Sequence, residues 1–78
     1  MSVRAYVLIT TRNKEEKTTV EQLKTLDCVR AIDFVTGPYD VIAIVEVADM
    51  DQLGQLITQK IQGIASVERT LTCISFSL

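Results

Sequence analysis

The fold of this chain is decided by the stretch Val35-Thr36-Gly37-Pro38-Tyr39-Asp40-Val41. Gly37 and Pro38 are a strong turn signal, because glycine reaches backbone angles closed to other residues and proline fixes φ near about −65°. Apolar, β-branched runs flank this turn, residues 31–35 before it and residues 41–45 after it. The stretch therefore predicts a sharp reversal between two strands.

Two residues of the turn have functional groups that a chain reversal does not require. Tyr39 adds a large amphipathic ring, and Asp40 adds a carboxylate that either caps its own loop or faces the ammonium group of a ligand. In the second interpretation a ligand carboxylate would bind the amides of Tyr39 and Asp40, because Pro38 has no N–H to donate. Thr70 and Thr72 share one face of the last predicted strand. They either line the same pocket or reflect the strand propensity of threonine.

Periodicity and cap signals around this turn predict the remaining elements. Asn13 with Glu16, and Asp49 with Gln52, indicate two helix starts. The predicted order is β-α-β-β-α-β, with strands over residues 3–10, 29–36, 39–47 and 67–76 and helices over residues 14–26 and 50–62. Right-handed crossovers then favour a four-stranded antiparallel sheet in the order 4-1-3-2 with both helices on one face, an α+β ferredoxin-like sandwich.

The two central strands of this sheet are apolar on both faces. Tyr6 and Leu8 lie opposite the valine, alanine and isoleucine face of strand 1, and Ile42 and Ile44 lie opposite a similar face of strand 3. The helices can cover only one face, and a bare second face would form a larger apolar patch than monomers normally expose. The pattern therefore predicts that two copies pair through their sheets as a dimer.

Composition narrows the class of protein further. The 78 residues are expected to form one domain over residues 1–78, with 47% apolar residues, net charge −2 and a pI of about 4.9. The scattered basic residues argue against direct nucleic-acid binding. Apolar runs such as residues 41–45 are too short to span a bilayer, so we expect a soluble, cytoplasmic protein with no membrane partner. Cys28 and Cys73 are interpreted as small hydrophobes in a reducing compartment.

No catalytic or metal-binding constellation is visible in the sequence. Histidine is absent, and the serines have no base and orienting group that the sequence places beside them. We therefore expect no enzymatic activity, no metal and no cofactor.

The ordered pattern resembles the effector-binding domain of the Lrp/AsnC regulators, also called the RAM domain. The resemblance covers essentially the whole chain, and residues 5–9 are similar to the first strand of that domain. Its motifs here are Thr36-Gly37-Pro38-Tyr39-Asp40-Val41, then Asp49-Met50-Asp51-Gln52-Leu53, then Ile61-x-x-Ile64-x-x-Val67-x-x-Thr70-x-Thr72.

The resemblance implies both an assembly and a site. In such proteins dimers form through the sheets and assemble into rings, often octamers or decamers, and amino acids bind between dimers near the Gly-x-Tyr-Asp turn and the start of the last strand. Full-length members place a helix-turn-helix domain first. Here strand 1 begins at about Val3, so the chain is similar to a stand-alone form that does not itself bind DNA. By position, the implied ligand-binding residues are Gly37, Tyr39, Asp40, Thr70, Thr72 and Cys73.

The favoured interpretation is an amino-acid-sensing module that modulates transcription or amino-acid metabolism through a partner, such as a full-length Lrp/AsnC regulator. Two other classes stay open, a structural oligomerisation module and a small dimeric α/β-barrel enzyme such as a monooxygenase. The absence of histidine and of an acid–base set argues against the enzyme. The ACT domain shares the strand order, and the position of Gly-x-Tyr-Asp favours the RAM domain.

Overall fold

The structure is a computed structural model, and it describes residues 2–76. The four strands pair antiparallel in the order β2-β3-β1-β4, which is the predicted order, and the fold is ferredoxin-like. The elements are β1 (Val3–Thr11), α1 (Glu16–Leu23), β2 (Val29–Phe34), β3 (Val41–Val47), α2 (Met50–Gln55) continuing into a π-helix (Leu56–Ile61), and β4 (Val67–Ser75).

The hydrophobic core lies between the helices and one face of the sheet. Alternate residues of the two central strands are fully buried there, and Val7 lies opposite Ala43 in their register. The helices close the core with Leu23, Leu53 and Ile61. Because β1 and β3 form the centre of the sheet, this alternation fixes which face the helices cover.

The first helix starts later than the cap signal at Asn13 predicts. Asn13 and Lys14 have φ of 52° and 58°, and a helix cannot run through two left-handed residues. The N-cap is Glu15, which makes no side-chain capping bond, so the capping box with Glu16 is wrong. The helix also ends earlier than predicted, and the chain enters it through a turn that Glu15 N–H closes on the carbonyl of Arg12.

The second helix begins at Asp49, the N-cap that the sequence predicts. Asp49 accepts a hydrogen bond from the backbone N–H of Gln52 at 2.8 Å, and Ala48 N–H donates to the Gln52 side-chain oxygen at 3.2 Å. The first bond satisfies a donor that a helix start otherwise leaves unpaired, and the second satisfies the amide of the residue before the N-cap.

The helix then widens into a π-helix, which changes the predicted apolar stripe. Gln62 N–H bonds the carbonyl of Ile57, five residues back, at 2.9 Å. Leu56 and Ile61, five residues apart at the two ends of this wider turn, are both buried, whereas Met50 is 53% exposed. A stripe drawn at α-helical spacing from Met50 therefore places Leu53 and Ile61 correctly, misplaces Met50 and omits Leu56.

The face of the sheet away from the helices, called the open face below, is also apolar. Tyr6 and Leu71 are 36% and 47% exposed on this face, and Ile42 and Ile44 are half-buried beside them. The strand registers place Tyr6 next to Ile44 and Leu8 between Ile42 and Leu71. The second apolar face that the sequence predicts is therefore present on the chain.

The described helices lack the length and apolar character needed to cross a membrane.

A buried hydrogen bond ties α1 to the chain just before β4, and it gives a test of the fold. Thr19 Oγ1 lies 2.6 Å from Ser66 Oγ, and the Thr19 hydroxyl also donates to the Glu15 carbonyl. We expect Thr19→Val to cost about 1–3 kcal/mol, because the buried Ser66 hydroxyl loses its partner. Urea denaturation of Thr19→Val, Ser66→Ala and the double variant measures this. The double variant should lose less unfolding free energy than the two single variants lose together. Strictly additive losses would contradict the coupling between Thr19 and Ser66.

Candidate functional site

The turn between β2 and β3 is fixed by backbone bonds as well as by its residues. Val35 N–H donates to the carbonyl of Asp40 at 3.0 Å, and Asp40 N–H donates to the carbonyl of Ile9 at 2.9 Å. Gly37 has φ of 120°, which side-chain-bearing residues rarely adopt. The turn is thereby held against the end of β1.

The carboxylate of Asp40 is bound within the chain. Its Oδ2 accepts the backbone N–H of Thr11 at 2.7 Å and the Thr11 hydroxyl at 3.2 Å. The geometry favours the interpretation of Asp40 as a residue that fixes its own turn. The Asp40 amide already donates to Ile9, so the expectation that it would bind a ligand carboxylate is wrong.

A cavity of about 380 Å³ lies between this turn and the beginning of β4. Its walls combine one cation, three hydroxyl-bearing residues and apolar surface. The lining residues are Thr10, Pro38, Tyr39, Arg69, Thr70 and Leu71.

Thr10 and Arg69 stand opposite each other across the β1–β4 pairing, so their side chains share the open face. The register shifts at Thr11, which pairs with Val67 and leaves Glu68 as the extra residue of a bulge. The hydroxyl oxygen of Thr10 is buried and has no hydrogen-bond partner within residues 2–76. A buried polar atom without a partner is uncommon, and here it borders a cavity.

The structure brings four of the six predicted site residues to this region. Tyr39 and Thr70 line the cavity, and Gly37 and Asp40 belong to the turn that forms one wall. The Thr70 hydroxyl accepts a hydrogen bond from the side-chain amide of Gln62 at 3.0 Å, which connects the cavity to the end of the π-helix.

The other two predicted residues lie farther along β4. Thr72 pairs with Val7 and faces the helices, whereas Cys73 pairs with Tyr6 on the open face. Adjacent residues of a strand point to opposite faces, and neither of these two residues lines the cavity beside the turn. Their part in ligand binding stays a prediction.

Sequence reasoning missed Thr10, Arg69 and Leu71. Alternation along the last strand places Arg69 and Leu71 on one face, which was the available signal. Their partners on β1 are set by the register that runs unbroken from the Arg4–Ser75 pair to the Thr10–Arg69 pair, and strand periodicity does not reveal the register between two distant strands.

The cavity beside the turn is not distinguished from other clefts by its volume. A cleft of about 390 Å³ opens at the other end of the sheet, between the loop at Asp27 and the π-helix at Lys60. The cavity beside the turn differs in chemistry, because it combines Arg69 with the unpartnered hydroxyl of Thr10.

The fold is ferredoxin-like with a cavity beside the turn, and comparison with known proteins identifies the family of the chain. The family described as Lrp/AsnC ligand binding domain matches residues 4–78, and the chain belongs to it. The predicted resemblance is confirmed.

Individual relatives agree with this assignment. The chain is 28% identical over 61 residues to an uncharacterized HTH-type transcriptional regulator of Pyrococcus furiosus, a match that spans 78% of this chain and 41% of the relative. A crystal structure of a Thermus thermophilus protein is 36% identical, with a TM-score of 0.90, covering 97% of this chain and 95% of that one. A feast or famine regulatory protein of M. tuberculosis, complexed with L-methionine, is 26% identical with a TM-score of 0.84, covering 97% and 51%.

The bonds of Asp40 to Thr11 predict a structural role that can be measured. Asp40→Ala should lower the free energy of unfolding by about 1–3 kcal/mol, because the Thr11 N–H loses its acceptor in a partly buried place. Asp40→Asn keeps an acceptor oxygen and should lose less. Urea denaturation at one fixed protein concentration measures both variants, with Glu21→Ala, an exposed acid on α1, as the control. Equal stability of wild type and Asp40→Ala would contradict this role.

Proposed function

We propose that this chain is a non-enzymatic, amino-acid-sensing regulatory module. It binds a small amino-acid effector in the cavity between the turn at Gly37 and the start of β4, and it acts on transcription or amino-acid metabolism through partner proteins. The carrying observation is the cavity itself, which pairs the Arg69 cation and the Thr10 hydroxyl with apolar walls beside the family's turn motif. Membership of the ligand-binding family and the L-methionine complex of a relative support this proposal.

The binding site is proposed to be completed by a second copy of the chain. Arg69 and Leu71 line the cavity and also belong to the open face, so a copy packed on that face comes close to the rim of the cavity. The exposed fractions of Tyr6 and Leu71 make the open face a patch that water disfavours. Sheet-to-sheet dimers, assembled further into a ring, are the proposed form.

Ligand binding would then act on assembly. An effector that contacts residues near the junction of two copies binds the assembled state more tightly than the separated state, and it shifts the equilibrium by that difference in affinity. A partner that recognises one assembly state, such as a full-length Lrp/AsnC regulator, would read out this shift.

Direct DNA binding is not part of the proposal. The 78 residues carry net charge −2, and basic residues are interleaved with acids rather than gathered in a stripe. Proteins that neutralise phosphates need clustered lysine and arginine.

Isothermal titration with each of the twenty amino acids tests the proposed sensing. We expect at least one to bind and to stabilise the folded protein, by about 2.7 kcal/mol at one hundred times its dissociation constant. The thermal midpoint should rise in the same rank order as the affinity. Sedimentation with and without that amino acid then reports the change in assembly. Failure of all twenty to bind would contradict sensing and leave a structural oligomerisation module.

Pairing through the open face is tested separately with Ile44→Lys. Ile44 lies on central strand β3 in the middle of the open face, and a buried lysine there would lose hydration without gaining a partner. We expect sedimentation to show the dimer replaced by monomer at micromolar concentration. Gln22→Lys, an exposed change on α1, adds the same charge and should leave the dimer intact. A dimeric Ile44→Lys protein would exclude this interface.

A further inference from the structure

The charges near the cavity suggest what part of a ligand it recognises. Arg69 is the one charged residue in the cavity lining. Asp40 is the neighbouring acid on the turn, and its Oδ2 is held by two bonds to Thr11. The cavity therefore presents a positive charge, and its wall offers no carboxylate to a ligand ammonium group.

Arg69 is not neutralised by another side chain of the described protein. The salt bridge found among residues 2–76 joins Arg30 to Glu46 at 4.0 Å, at the other end of β2. A guanidinium group binds a carboxylate through two parallel N–H donors, a geometry that a planar carboxylate matches. Arg69 is thus available for such a bond.

Thr10 supplies a second polar contact beside Arg69. The two residues are directly paired across β1 and β4, and the hydroxyl of Thr10 has no partner in the part of the chain described. A hydroxyl can donate to a carboxylate oxygen or accept from an amino group. It can therefore serve a ligand with either an amino or an oxo group next to the carboxylate.

We infer that the cavity recognises its ligand by the carboxylate, bound by Arg69 and assisted by the Thr10 hydroxyl, and that it accepts a 2-oxo acid as well as the matching 2-amino acid. This inference rests on the proposed function and narrows its ligand to the class of small 2-substituted carboxylic acids. Leu71, Pro38 and Tyr39 form the rest of the wall and favour an apolar side chain on that acid.

The sensor would consequently respond to the pool of an amino acid together with its oxo acid. Transamination interconverts these two compounds and keeps the carboxylate and the side chain unchanged. A site that recognises only those shared parts reports their sum rather than the amino acid alone.

The experiment titrates the full chain with three matched probes for each side chain: the amino acid, its 2-oxo acid and its amino-acid amide. For the side chain that binds, we expect the dissociation constants of the amino acid and the oxo acid to agree within about tenfold, which corresponds to about 1.4 kcal/mol. The amide, which lacks the carboxylate charge, should bind at least about tenfold more weakly.

Variants separate the roles of the two residues. Arg69→Ala should lower the affinity for both acids at least about tenfold. Arg69→Lys should retain part of that affinity because the positive charge remains. Lys17→Ala, an exposed residue of α1, removes one positive charge elsewhere and should not change binding. Thr10→Val should weaken binding without lowering the stability of the folded protein, because the hydroxyl it removes has no partner within the described chain.

The outcomes distinguish this inference from the proposed function. If an amino acid binds while its oxo acid fails, or if Arg69→Ala binds like wild type, amino-acid sensing stands and carboxylate recognition by Arg69 is overturned. If oxo acids bind while all amino acids fail, amino-acid sensing and the shared recognition of both acids are overturned, and recognition of the carboxylate by Arg69 stands. If neither acid binds, both are overturned.

Discussion

The structure depends on one constraint: the four-stranded sheet is apolar on both faces, and the helices cover only one of them. The covered face buries Val7 and Ala43 completely, whereas the open face leaves Tyr6 and Leu71 substantially exposed. Removing apolar area from water is the dominant favourable term in folding and association, so covering the open face would be favourable. A chain of this length also hides too small a share of its surface to be very stable alone. Pairing would satisfy both constraints with one interface.

The turn at Gly37 is placed by the same sheet. It connects edge strand β2 to central strand β3, and its bonds to Ile9 and Thr11 hold it against the end of β1. β4 is the other neighbour of β1, so the end of β1 is where the turn and the start of β4 meet. The cavity is therefore a consequence of strand order and needs no separate structural device. Residues from three distant parts of the sequence reach it because β1 lies between β3 and β4.

Much of this fold could be predicted, because alternation and turn chemistry are local signals. The strand order, the turn and the cap at Asp49 follow from short stretches of sequence. The late start of α1 and the π-helix did not follow, since they depend on backbone conformations at Asn13 and Leu56 that composition does not encode. The position of the candidate site beside the turn could be predicted from the sequence. Its lining residues could be predicted only in part. The register between β1 and β4 decides that Thr10 faces Arg69, and the periodicity of either strand does not reveal a register between distant strands.

The two charged residues near the cavity differ in what binds them within the chain. Asp40 follows the cavity-lining residue Tyr39 in the sequence, but its carboxylate binds Thr11 and stabilises the end of β1. Arg69 lies on a strand, makes no ion pair among the described residues and borders the cavity. A charge committed to backbone donors has less capacity left for a ligand, because each hydrogen bond uses a lone pair and fixes the group in place. The turn motif therefore marks one wall of the cavity, and Arg69 on β4 determines which charge the cavity presents.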